Sequence, residues 1–207
     1  IIQFILLVLG QAAFFDELEP LYPDSSLADG SMAWVGDAAV EVPAGVHMLI
    51  DRSVFNPTRL AVEDGAGRPV AGISIYRLHD VPVEENTGLD SRTEQFKGDL
   101  NPHVIRRAPF RIYEAIEPLD VNEATVNLER GEGPLAFRLE YLPASPGPKD
   151  IRLVLHDGEQ TISLPWRINV HDWKPEAGSL DSFGYTNWFS PSEIAKRHDV
   201  VLWSDSF

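Results

Sequence analysis

Residues 135–171 read LAFRLEYLPASPGPKDIRLVLHDGEQTISLPWRINVH, and the fold class is decided by their rhythm. Leu135, Phe137, Leu139 and Tyr141 alternate with Ala136, Arg138 and Glu140. Ile151, Leu153 and Leu155 alternate with Arg152, Val154 and His156. Ile162, Leu164, Trp166, Ile168 and Val170 alternate with Thr161, Ser163, Pro165, Arg167, Asn169 and His171. A period of two puts one set against a core and the other in water, the pattern of half-buried strands. Asp157-Gly158 between the second and third runs is a strong hairpin signal.

Working back from this stretch, the text from Ala33 to Trp173 stays β-like. Short runs of Val, Ile, Leu and aromatics are separated by Gly, Pro, Asp and Asn. Five further strands are expected at Val46–Arg52, Arg59–Glu63, Ala71–Leu78, Arg111–Ile116 and Thr125–Leu128. The alternating runs themselves extend over Leu135–Leu142, Ile151–His156 and Thr161–His171. Strands at this spacing, without helical stretches between them, predict an antiparallel, Ig-like β-sandwich. Gly65-Ala66-Gly67 reads as a turn between strands, not as a nucleotide loop. Phe14–Gly30, acidic and broken by Pro20, Pro23 and Asp29-Gly30, is expected to be an irregular lead-in. Asn86–Pro109 is a long polar insertion of the kind that is functional or packed on a partner.

Working forward, the text changes character. Lys174–Ser182 is polar with Pro and Gly and suits a domain boundary. Gly184–Phe189 is short and aromatic, as a buried strand is. Ser190-Pro191-Ser192-Glu193 then carries the cap, the first-turn proline and the capping-box acid of a helix. Val200–Trp203 is a second strand-like run before Ser204-Asp205, another capping signal. Residues 184–207 are expected to be the opening βα unit of a truncated (β/α)8 barrel.

The 207 residues carry a net charge of −15. That balance disfavours nucleic acid and anionic lipid, because phosphate contacts need Lys and Arg. There are no cysteines, which excludes disulfides, thiolate metal sites and a Cys nucleophile. Ile1–Leu9 is apolar but too short to span a membrane, which takes about 20 residues. Gly10 and Ala12 suit signal-peptidase cleavage after Ala12. Residues 1–12 are therefore expected to be part of a signal peptide and the mature protein to be secreted or periplasmic, with no membrane attachment. The competing reading is a buried first strand.

Candidate chemistry is sparse. The six histidines, His47, His79, His103, His156, His171 and His198, show no metal-ligand spacing, and no metal or cofactor is implied. His171-Asp172, at a strand end, is expected to fix the following linker. The carboxylates Asp16-Glu17, Glu84-Glu85, Asp90, Glu94 and Asp99 lie in polar stretches where solvation explains them, so no catalytic residue is assigned. Arg106-Arg107-Ala108-Pro109-Phe110 places two arginines beside an aromatic; they grip a carboxylate ligand or, as favoured here, pair with acidic residues of the protein. Asn187, Trp188 and Phe189 end the last aromatic strand, where a barrel would face its substrate. They are the candidate substrate-binding residues, with a buried barrel aromatic as the competing reading.

Three stretches resemble the glycoside hydrolase family 123 group. They are Tyr76–Gly88 (YRLHDVPVEENTG), Arg107–Pro118 (RAPFRIYEAIEP), and the ending, in which Leu164–Trp173 (LPWRINVHDW) precedes a linker and His198–Asp205 (HDVVLWSD). The resemblance implies an N-terminal β-sandwich before a (β/α)8 catalytic barrel. It also implies hydrolysis of β-linked N-acetylgalactosamine with the substrate's acetamide as nucleophile, guided by an adjacent Asp-Glu pair in the barrel. No such pair stands at a matching place here. The expectation is a β-sandwich at residues 13–173, a linker at 174–183 and the first barrel unit at 184–207. On that expectation the chain supports a catalytic domain acting on N-acetylhexosamine glycans, touches that domain within one molecule, and has no activity alone. A free-standing carbohydrate-binding or adhesive β-sandwich is the alternative.

Overall fold

The structure, a computed structural model, describes residues 10–84 and 106–173. The chain divides after Asp172 into two units, and the description concerns the first. The sites Asn187, Trp188 and Phe189, the linker and the expected barrel unit lie outside the described residues.

Among the described residues, ten strands form two five-stranded sheets. They are β1 (Ala12–Phe15), β2 (Trp34–Ala39), β3 (Ala44–Ile50), β4 (Arg59–Asp64), β5 (Ile73–Val83), β6 (Phe110–Pro118), β7 (Thr125–Asn127), β8 (Leu135–Tyr141), β9 (Gly147–His156) and β10 (Thr161–His171). The first sheet has the order β1-β3-β8-β5-β6 and the second β2-β10-β9-β4-β7. All eight strands expected from the sequence are present, with ends shifted by a few residues.

The alternation in β10 is realised without exception. Ile162, Leu164, Trp166, Ile168 and Val170 are buried, and the six residues between and beside them are exposed. These side chains meet Met48, Ile50, Ile75, Phe137 and Leu139 from the facing sheet in one apolar core. The turn at Asp157-Gly158 is also as read. The Asp157 N–H donates to the Gln160 carbonyl at 3.2 Å, and Gly158 has φ of 105°. At Gly67 the N–H donates to the Asp64 carbonyl at 3.0 Å, confirming the second turn.

Three features depart from expectation. The sandwich is mixed rather than antiparallel, because β2 runs parallel to β10 from Trp34↔Trp166 to Ala39↔His171. A hairpin forces antiparallel pairing, whereas these two strands lie far apart in sequence and no such constraint acts. Secondly, Phe14 and Phe15 are not irregular. They complete β1, which pairs antiparallel with β3 through Ala12↔Ile50 and Phe15↔His47. Ala12 and Ala13, on either side of the expected cleavage point, are both buried in this strand. Thirdly, the first sheet does not give its outer face to water. Residues 16–30 leave β1, cross that face and return, and Phe14 and Ser31 bond reciprocally at 2.7 and 2.9 Å. Leu21 is thereby buried against Leu49, Leu78, Tyr113 and Ala136 in a second apolar cluster.

Gly30 closes this loop. A Cβ there would stand 2.6 Å from the Ala13 Cβ and 3.0 Å from the Phe14 carbonyl oxygen, so only glycine lets the two segments meet.

Candidate functional site

The loop over the first sheet is fixed from both sides. Its Leu21 carbonyl accepts the Tyr113 N–H at 2.9 Å, using an edge donor of β6. Arg106, just before β6, lies with its guanidinium carbon 4.2 Å from the Tyr22 ring centre and 5.5 Å from that of Phe110. The same guanidinium hydrogen-bonds Asp24, which holds that carboxyl below its usual range. The arginine–aromatic segment singled out in the sequence thus meets an acidic residue of its own chain.

Where the loop begins, a cleft of about 370 Å³ opens on the same sheet face. Its floor is Leu78 and Tyr113. Burial, and then the Asp80 carboxylate, pushes the Tyr113 hydroxyl up to about 12, so it stays protonated. Leu18 and Ile116 flank the opening and are 88% and 50% exposed. Leu18 is held outward by a tight turn in which its N–H donates to Asp16 Oδ1 at 2.9 Å. Arg138, on β8, donates to Glu17 at 3.1 Å and to Glu140 at 2.8 Å. Glu140 also accepts the Tyr76 hydroxyl at 3.2 Å. Glu114 adds a further, exposed carboxylate to the lining.

His47, on β3, is half-buried in the wall of this cleft. Its Nδ1 is shut off from solvent with no hydrogen-bond partner among the described residues. Burial lowers its pKa first and the Arg138 charge lowers it further, against a smaller opposing pull from Asp16. The ring is therefore held neutral. Sequence reading placed His47 with the surface histidines. A polar residue at an outward strand position gives no sign of the loop that covers it.

A second recess, of about 620 Å³, lies at one end of the sandwich. Tyr141, Leu142 and Pro148 supply its apolar surface. Its charged rim is internally paired. Asp64 accepts the N–H groups of Ala66 and Arg68 and the Arg68 guanidinium, which hold its carboxyl at about 2. Asp150 takes Arg167 at 2.9 Å, and Lys149 donates to Ser145 at 3.0 Å.

The remaining histidines are placed by single contacts. His79 meets Glu117 at 2.7 Å and His156 meets Thr161 at 2.9 Å. His171 meets Asp37 of β2 at 3.0 Å, which tethers the end of β10 to its neighbour; the linker that His171-Asp172 was expected to fix lies outside the described residues. His103 and His198 lie outside the described residues, as do Glu85, Asp90, Glu94 and Asp99. Asp16 caps a turn and Glu17 binds Arg138, whereas Glu84 is exposed beyond β5.

No family model matches the chain, and no curated protein matches it. Among solved structures, it is similar to a family 123 glycoside hydrolase from Clostridium perfringens, studied for glycolipid glycan hydrolysis. The identity is 13% and the TM-score 0.44, over 78% of this chain and 27% of that one. It is also similar to the ASH/PapD-like domain 7 of human CEP192, at 6% identity and a TM-score of 0.33, over 81% of this chain and 88% of that one. The chain thus spans 27% of the length of the glycoside hydrolase structure.

Proposed function

We propose that this chain is the non-catalytic β-sandwich of a secreted glycoside-hydrolase-like protein, which carries and positions a domain acting on N-acetylhexosamine glycans. The observation that carries the reading is where the aromatic rings go. Of the seven described Trp and Tyr residues, Trp166, Tyr113 and Tyr141 are buried and Trp34, Tyr22 and Tyr76 half-buried. Only Trp173, just beyond β10, is exposed among them, at 55%. A sugar-binding face needs open rings to stack on, and these rings are spent on packing.

Two further observations support it. Among the described residues, the stretches resembling family 123 fall on or beside β5, β6 and β10. The last of these is the strand by which the chain leaves the sandwich, and it is paired with β9 over Thr161–Val170 and with β2 over Trp166–His171. A strand held on both sides is a firm base for whatever follows. Secretion rests on the apolar Ile1–Leu9 with the small Gly10 and Ala12 after it, and on the net charge of −15. Against cleavage after Ala12 stands β1, which would lose Ala12 and the Gln11 carbonyl that accepts the Asp51 N–H at 2.9 Å.

The alternative, a carbohydrate-binding or adhesive module, has the Tyr141 recess in its favour. Its volume falls in the range of about 300–1,000 Å³ usual for small-ligand sites. One experiment separates the readings. The 207-residue chain is assayed on aryl β-N-acetylgalactosaminide and β-N-acetylglucosaminide and screened for glycan binding. Neither turnover nor binding is expected. Turnover that disappears on Glu85→Ala or Asp99→Ala overturns the supporting role; saturable binding lost on Leu142→Ala, at an exposed position of the recess, establishes the alternative.

A further inference from the structure

The cleft beside His47 has a chemistry that the supporting role does not use. Two carboxylates, Glu17 and Glu114, line it with one guanidinium, Arg138, which is shared between Glu17 at 3.1 Å and Glu140 at 2.8 Å. With His47 neutral, the group carries an excess of negative charge. Leu18 and Ile116 bring exposed apolar surface to its two sides. Scattered exposed apolar residues are ordinary, but two flanking one charged cleft are not.

We propose that this cleft is a docking site for a partner protein that presents an arginine or lysine beside an apolar side chain. The cation would lie toward Glu114, the carboxylate of the cleft that stands out from β6, with its aliphatic stem along Ile116 and the Tyr113 ring. The neighbouring apolar residue would cover Leu18. Charge complementarity selects this occupant over a second copy of the chain. Two molecules of net charge −15 meeting through this face would bring Glu114 and Glu17 against their counterparts. Like charges juxtaposed in an interface disfavour association. The site is independent of β10 and of the strand's role in carrying a following domain.

The test is a titration of the isotope-labelled 207-residue chain with N-acetyl-leucyl-arginine amide, followed by NMR. The control is the same dipeptide with citrulline, which keeps shape and loses charge. Saturable shifts are expected together at the amides of His47, Leu78, Tyr113 and Ile116. The His47 ring should titrate at lower pH with the arginine peptide bound, since a nearby cation disfavours the imidazolium. Glu114→Gln, at an exposed position where folding is not at stake, should weaken binding about threefold, the size of one exposed ion pair. Ile116→Ser should weaken it through the apolar contact. Equal shifts with the citrulline peptide, or shifts spread to Asp37 and Asp150 on the other sheet, or no saturable shift, overturn the proposal.

Discussion

The guanidinium carbon of Arg106 lies 4.2 Å from the centre of the Tyr22 ring. This stacking joins the loop that covers the first sheet to the start of β6. Asp24 and Phe110 complete the contact.

Arg106→Ala should therefore loosen the loop more than it unfolds the protein. An exposed cation–π contact contributes about 0.5–1 kcal/mol and an exposed ion pair about 0–1. A small loss of stability is expected in denaturant unfolding. Amide exchange should quicken at Tyr113, whose N–H is held by Leu21. Arg106→Lys should not restore protection, because an ammonium does not stack as a planar guanidinium does. Unchanged exchange at Tyr113 would contradict the latch.

Gly30→Ala acts at the other end of the same loop. The added methyl would meet the Ala13 Cβ and the Phe14 carbonyl, which are backbone-fixed and do not yield. Overpacking of this kind costs about 1–3 kcal/mol. Limited proteolysis should then cut within residues 16–30 while the core stays resistant; cleavage indistinguishable from wild type would show that the base of the loop can shift.

Trp166 is 1% exposed at the centre of β10. Trp166→Ala should cost about 3–5 kcal/mol, a large part of a typical total of about 5–15. Trp173, 55% exposed, provides the contrast. Trp173→Ala should shift stability by no more than about 0.5 kcal/mol. Similar denaturation midpoints for the two variants would contradict the placement of these rings.

His47 predicts a pH dependence with a definite sign. Its folded pKa lies below the ordinary 6.5 of the unfolded chain. Between the two values the unfolded state binds more protons, so stability rises with pH there. The contribution is complete above the unfolded value and is lost as pH falls through the folded one. Denaturant unfolding between pH 7.5 and about 5 should show this slope. His47→Gln should flatten it, and a slope unchanged in that variant would assign the effect to other groups.

The sequence by itself determined most of the strands and the inward face of β10, because both follow from neighbours in the chain. A residue's side of a strand is set by a period of two, and a hairpin such as Asp157-Gly158 is set by its own turn residues. The segment at Arg106 was legible as unusual, and its pairing with an acid was the favoured reading. The sequence did not name Asp24, which stands 82 positions away. Only the tertiary structure decided what covers each face. Ala136 sits at an outward position of β8 and was expected in water, yet it is buried. Alternation reports which side a residue takes, not whether a distant loop with Leu21 will close over that side. The parallel β2, the closed loop and the cleft at His47 share this cause: each depends on contacts between remote segments, and no local period encodes them.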